Sequence, residues 1–274
     1  MKQLQFGKIL IYLLLIVGAI TMVFPFFWMF ISSLKTAAEV NTTPPTLWPS
    51  ILTFDNFIYA FETAPFARYF LNSVIVAFFN VVLTGITTIL AAFAFSRLKF
   101  PGKEVLFSLL LSLMMIPFEM LIITNYTTIA DLGLIDTLSA MIIPFTSSIF
   151  YTYILRNFFQ SIPDSLYHSA RIDGASNWKY LWKIMVPIAK PAIITILLLN
   201  AISSWNAFMW PMLVTNTTNN RTLPFGLYAF ISESGVRYEV LMAASTIVIL
   251  PMVILFLFMR KSIVSSVAQG GTKG

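Results

Sequence analysis

The chain has 274 residues, 58% of them apolar and only 10% charged, with a formal net charge of +6. Ordinary soluble domains carry roughly 25% charged residues, and a globule of this length has no way to hide so much apolar surface from water. Intrinsic disorder, which needs low hydrophobicity and high charge, is excluded by the same numbers.

The apolar residues gather into six charge-poor stretches, each close to or above the roughly 20 residues a spanning helix needs. Taken along the chain they predict spans at about 9–31, 70–96, 105–126, 138–155, 191–213 and 240–259. Runs such as Leu106-Phe107-Ser108-Leu109-Leu110-Leu111 do not alternate as barrel strands would, so the expected fold class is an all-α polytopic membrane protein, one transmembrane domain over 1–274. Lys2 and Lys8 precede the first run. It is longer than a signal-peptide core, and Pro25-Phe26-Phe27-Trp28 offers no small-residue cleavage site, so it is expected to stay as an anchor.

With six spans both termini share a side. That side holds 13 basic residues, among them Arg97, Lys99, Lys103, Arg156 and Arg171; the other holds Lys35, Arg68, Arg221 and Arg237. The positive-inside rule places the termini in the cytoplasm. The basic balance is thereby an orientation signal, and no nucleic acid is needed to explain it. Cysteine is absent and His168 is the lone histidine, so thiolate and multi-histidine metal sites are excluded.

Between spans, the outer loop from Ser32 to Arg68 is broken by Pro44-Pro45 and Trp48-Pro49 and is rich in aromatics: Phe54, Phe57, Tyr59, Phe61 and Phe66. The inner segment 156–190 is too long for a plain connector. Pro163-Asp164 reads as a helix start, Asp173-Gly174 as its C-terminal stop, and Ser176 as the cap of a second helix. In that second helix Trp178, Leu181, Trp182 and Met185 form one apolar stripe. The elbow either packs on the membrane surface and its own bundle, or docks into a groove of a partner protein. The polar end of the chain, Ser262–Gly274, is expected to be a disordered tail.

The run Ile162 to Ser176, with Arg171-Ile172-Asp173-Gly174-Ala175, followed by Val186-Pro187, resembles the EAA loop of ABC-importer permeases. The Glu-Ala-Ala slot of that pattern holds His168-Ser169-Ala170 here, so only the last Ala is kept. Arg68-Tyr69-Phe70-Leu71-Asn72-Ser73, Met115-Ile116-Pro117, Ser204-Trp205-Asn206 to Trp210-Pro211, and Arg221-Thr222-Leu223-Pro224 are similar to the carbohydrate-uptake branch, the maltose-type second permease. The likeness runs over nearly the whole chain. It implies a type I importer fold in a bacterial-type inner membrane and a homologous second permease forming a heterodimer. It also implies a dimer of ATP-binding cassette ATPases that hold ATP and Mg, and an extracytoplasmic solute-binding protein. His168, Ser169, Ala170, Arg171, Ile172, Asp173, Gly174 and Pro187 are then the expected ATPase-coupling residues.

The residues agree with that division of labour. No G-x-x-x-x-G-K-[ST] pattern occurs, and no nucleophile–base pair can be assembled, so the chain is expected to be no enzyme, to bind no cofactor, and to receive its energy through a partner. Span 5 offers the hydrogen-bonding and aromatic groups that neutral sugars need: Asn200, Ser203, Ser204, Trp205 and Asn206, then Trp210. These residues serve either as interhelical glue or as solute contacts; the two Trp also suit the membrane interface. Glu119 is the one clear ionisable group inside a span, expected as a buried carboxylate that satisfies loosened backbone near Pro117 or lies on the solute path. The expected cargo is a sugar or oligosaccharide. A glycerol-phosphate-type or other polar solute is the alternative, and an ion-coupled secondary transporter the rival class.

Overall fold

The computed structural model describes the backbone of residues 2–232 and 235–271, and the side chains of 7–231, 236–254, 256 and 257. In chain order the helices are α1 (Lys2–Ser33), α2 (Ala37–Val40), α3 (Asp55–Thr63), α4 (Phe66–Arg97), α5 (Lys103–Leu113), α6 (Phe118–Asp131) and α7 (Leu138–Ile142). A 3-10 turn at Ile143–Phe145 leads to α8 (Ile149–Gln160), α9 (Asp164–Ile172) and α10 (Asn177–Tyr180). After a π-turn at Leu181–Met185 come α11 (Val186–Ile188), α12 (Lys190–Trp205), α13 (Met209–Val214) and α14 (Leu223–Gly226). A two-residue antiparallel pair, β1 (Ile231–Ser232) with β2 (Gly235–Val236), precedes α15 (Tyr238–Gly271).

Two described helices are long and apolar enough to cross a membrane unbroken, Gly7–Ser33 within α1 and the whole of α4. The predicted spans at 105–126, 138–155 and 191–213 are each interrupted. α5 ends at Leu113 and α6 begins after Pro117, which is extended at φ −60°, ψ 142° and has no amide to continue a helix, and the two helices meet at 97°. The segments Leu138–Phe145 and Ile149–Gln160 are bent by 42° at the break 146–148, just after the 3-10 turn that holds Pro144. α12 stops at Trp205 with Asn206 as its C-cap, and α13 starts afresh at Met209. In the other direction, α15 continues as helix to Gly271, through most of the segment expected to be a disordered tail; Thr272–Gly274 lie outside the described residues.

The chain divides into two compact units, Met1–Phe66 with Gly226–Val253, and Ala67–Phe225 with Ile254–Gly274. In the first, the Asn56 amide ties the end of α1 by donating to the Ser33 and Lys35 carbonyls at 2.9 and 2.8 Å. Phe66 stacks on Phe230 at 5.9 Å. The buried Glu239 carboxylate is met at 2.9 Å by Arg237, whose guanidinium lies 4.4 Å over the Tyr59 ring.

The second unit is organised by α4. Gly85 lets α12 approach so closely that a Cβ would lie 2.7 Å from Leu197 Cδ2. Ser73, Asn80, Thr84 and Thr88 are buried on α4; most fall four apart, one helix face. That polar ridge repairs the broken helix pair at Leu138–Phe145 and Ile149–Gln160. The Asn80 amide donates to the Met141 carbonyl at 3.3 Å, Thr84 to Phe145 at 2.6 Å and Thr87 to Thr146 at 2.7 Å. Pro144 has no N–H for the Ala140 carbonyl four residues back, and the Trp210 indole N–H donates to that carbonyl at 2.9 Å instead. In lipid such a freed carbonyl must be re-satisfied from within the protein. Trp210 is therefore a buried clamp, 3% exposed, and not an interface anchor. Trp210→Phe, which keeps a ring against Phe118 and Phe145, is expected to cost about 1–3 kcal/mol through the stranded acceptor; an unchanged thermal midpoint of the purified protein would contradict it.

Candidate functional site

The elbow between α8 and α12 is built by local rules that its residues obey. α9 starts after Pro163, with Asp164 in the first turn. It ends in a Schellman motif: the Ala175 amide donates to the Ala170 carbonyl at 2.9 Å, and the Gly174 amide to Arg171 at 3.1 Å. Gly174 sits at φ +75°, where a side chain is disfavoured although open space surrounds its Cβ position. The Ser176 hydroxyl then accepts the Lys179 amide at 3.2 Å to cap α10, and the Tyr167 hydroxyl donates to Asn177 at 2.8 Å, closing the two arms on each other.

The second arm departs from a plain α-helix. The Val186 amide reaches back five residues to the Leu181 carbonyl, a widening that makes room for the Pro187 ring, which would otherwise press on the carbonyl of the preceding turn. The extra residue rotates the apolar face. Tyr180, Leu181, Met185 and Ala189 are fully buried, whereas Trp178 of the apolar stripe is 63% exposed and Trp182 only partly packed. The buried side chains join Ile89, Ala92 and Phe93 of α4 and Leu155 and Phe159 of α8 in one core.

Two arginines that the sequence presented only as topology charges fasten this base. Arg97, at the end of α4 and with a side chain 5% exposed, pairs with Asp164 and donates to the Phe159 carbonyl at 2.7 Å and to the Ile162 carbonyl. Arg156 on α8 pairs with Glu104 at 2.8 Å, donates to the Phe95 carbonyl at 3.1 Å and stacks 4.0 Å over the Phe107 ring. Of the expected coupling residues, Ala170 is buried in the core, and His168, Ser169, Arg171, Ile172, Asp173, Gly174 and Pro187 are exposed. The Arg171 guanidinium folds back on the Ala175 carbonyl at 3.0 Å. Ile172 is 86% exposed beside Gly174. The elbow thus has an inner face locked to the bundle and an outer face of small, apolar and weakly charged groups.

The candidate solute residues separate. Asn200 and Ser203 line a cavity of about 90 Å³ together with Ser204, Asn80, Trp210 and Thr222. Asn80 Oδ1 and Thr222 Oγ1 are buried there with no hydrogen-bond partner among the described residues. Ser204 Oγ accepts the Asn80 amide at 3.0 Å. The lining carries no charged side chain, so its free oxygens suit hydroxyl donors or water and oppose anions. Trp205 lies apart, buried edge-on against Phe70 at 5.9 Å, and Asn206 is the exposed C-cap of α12. Glu119 is not buried: it is exposed in the first turn of α6, where the helix N-terminus favours a carboxylate. Asn80 is not among the candidates the sequence offers, and Thr222 enters there only within the Arg221-Thr222-Leu223-Pro224 segment; a mid-span Asn in a charge-free stretch is the available signal.

Farther along the second unit, Asp136 adopts φ +61°. Burial alone would raise its carboxyl, and the amides of Thr217 and Asn216 with the Thr217 hydroxyl outweigh that and hold it below the usual carboxylate range.

Residues 85–269, which include the elbow and α12, match the family described as binding-protein-dependent transport system inner membrane component. The chain is 31% identical over 275 aligned positions to the arabinooligosaccharides transport system permease protein AraQ of Bacillus subtilis (strain 168), covering 99% of this chain and 98% of that protein. It is 30% identical to the sn-glycerol-3-phosphate transport system permease protein UgpE of Yersinia pestis bv. Antiqua (strain Antiqua), over 91% of this chain and 92% of that one. Its fold superposes with a TM-score of 0.83 and 27% identity on a chain of a bacterial ABC transporter involved in the import of the acidic polysaccharide alginate, covering 94% and 96% of the two. The chain therefore belongs to the family of binding-protein-dependent transport system inner membrane components, and with its helical type I importer fold it is a permease component of an ABC importer.

Proposed function

We propose that this chain pairs with a homologous second permease, crosses the membrane six times with both termini in the cytoplasm, and carries a sugar or oligosaccharide inward. The observation that supports the coupling half of this reading is the two-faced elbow. Its inner face is welded to α4 and α8 by the Tyr180 core and by Arg97, so a push on its outer face is passed to the helices as a near rigid-body movement. That outer face, with His168, Ser169 and Ile172 exposed, is the surface offered to the cassette ATPases. ATP and Mg are held there, in the partner, and the solute-binding protein delivers cargo from the opposite side. Membership in the permease family displaces the ion-coupled reading.

For cargo, the neutral lining around Asn80, Asn200, Ser203 and Thr222 supports a polyhydroxyl solute over a glycerol-phosphate-type anion. In the reconstituted importer, the double substitution Asn200→Leu with Ser203→Ala is expected to lower sugar uptake about tenfold, the worth of one or two hydrogen bonds, while basal ATP hydrolysis stays as in the wild type. Unchanged uptake would remove the solute assignment. Uptake by the chain alone, driven by an ion gradient, would remove the importer assembly.

A further inference from the structure

The outer segment between α1 and α3 is folded inside out relative to a water-facing loop. Its two charges are turned inward. Lys35, 1% exposed, donates to the Thr46 carbonyl and lies 4.6 Å over the Trp28 ring. Glu39, 9% exposed, accepts the Ser50 amide at 2.8 Å and the Thr46 hydroxyl at 3.2 Å. From Val40 to Phe54 no charged residue follows. The side chains turned outward are Leu47, Trp48, Ile51, Leu52 and Phe54, each between 57% and 67% exposed. Hiding a Lys and a Glu while presenting five large apolar groups is costly against water.

Continuity with α1 says what covers them. Within Gly7–Ser33 an 18-residue stretch has a mean hydropathy of 2.6 and none of that stretch is buried by the rest of the chain, burial beginning only at Ile31. Trp48 packs edge-on against Phe27 of α1, with ring centroids 5.7 Å apart. Phe27 lies about 29 Å along the helix from Lys8, at 1.5 Å per residue. A hydrocarbon core is about 30 Å thick. If Lys8 marks one boundary, Trp48 is held at the other, the level at which Trp side chains gather.

We infer that residues 47–54 form an interfacial membrane anchor, in which Leu47, Trp48, Ile51, Leu52 and Phe54 insert into the acyl–headgroup boundary of the leaflet farther from Lys8. The anchor depends on α1 crossing the bilayer. It braces the exit of an otherwise uncovered helix, and the inward Lys35 and Glu39 hold the loop in the shape that presents the apolar groups.

The absence of native cysteine makes the test clean. In the assembled importer in phosphatidylglycerol–phosphatidylethanolamine vesicles, nitroxide labels at Ile51→Cys and Leu52→Cys are expected to be relaxed more by oxygen than by a nickel chelate, at a depth of about 5–10 Å. Greater relaxation by the chelate, or by neither reagent as under a protein partner, would overturn the inference. A label at Val17→Cys reports on α1 separately, so relaxation there by oxygen with water exposure at 51 and 52 would sink the anchor and leave the span. As a second reading that needs no label, Trp48→Phe is expected to reduce the quenching of tryptophan fluorescence by lipids brominated near the glycerol end of the acyl chain; an unchanged quenched fraction would also overturn it.

Discussion

Arg97→Ala is expected to destabilise the chain by about 1–3 kcal/mol, the range for leaving a buried carbonyl without its donor. The guanidinium has a 5% exposed side chain and serves Asp164, the Phe159 carbonyl and the Ile162 carbonyl at once. Asp164, at 73% exposure, rehydrates when the arginine is lost; the Phe159 carbonyl keeps the Ile162 amide at 3.2 Å, and the carbonyl of the buried Ile162 loses the Arg97 donor. The thermal midpoint of the detergent-purified protein measures the loss. Uptake should fall with it, because the first helix of the elbow is no longer pinned to the end of α4. Arg97→Lys restores only part of either, since an ammonium cannot present the planar fork that meets three acceptors. A wild-type midpoint for Arg97→Ala would mean that the junction is held by the Tyr180 core alone.

Gly174→Val is the substitution with the largest expected effect on function. At φ +75° a β-branched residue is strained by about 1–2 kcal/mol, yet nothing lies within 4 Å of its Cβ position. The strain is therefore relieved by opening the Schellman turn, which releases the amides of Gly174 and Ala175 and swings the exposed Ile172 away from its place. Stability should drop modestly while co-purification with the ATPase and coupled uptake fall at least tenfold. Gly174→Asn, which tolerates the left-handed region, should retain most of both. Full assembly and uptake by Gly174→Val would separate the elbow from coupling.

Much of the elbow was legible beforehand because its determinants are local. Pro163-Asp164, Asp173-Gly174 and Ser176 each act on backbone within a few residues, and α9, the Gly174 turn and the Ser176 cap stand where these residues require. The second arm was legible only in part. A period of 3.6 puts Trp178, Leu181, Trp182 and Met185 on one stripe, and with the π-turn at Leu181–Met185 it is Tyr180, Leu181 and Met185 that are buried while Trp178 is exposed. No local pattern announces that insertion; it answers Pro187 and the packing of the core.

The spans divide in the same way. Hydrophobic content and charge asymmetry identified a helical membrane protein and marked its apolar stretches, because transfer to a bilayer depends on composition summed over about 20 residues. The breaks near Pro117, at 146–148 and at Asn206 lie inside those sums and leave them almost unchanged, so the predicted spans ran through them. Whether a broken helix survives depends on partners far away in sequence: Trp210 for the Ala140 carbonyl, Asn80 and Thr84 for Met141 and Phe145. Glu119, Trp205, Asn200 and Ser203 are equivalent candidates by composition, and only the structure places Glu119 exposed on α6 and Trp205 against Phe70, away from the cavity that Asn200 and Ser203 line. By itself the sequence determined the solvent, the helical class, the family resemblance and the local turns of the elbow, all of which are short-range or additive properties. The tertiary structure decided which polar groups are spoken for and which remain free, because satisfying a buried hydrogen bond is a property of two distant residues brought together.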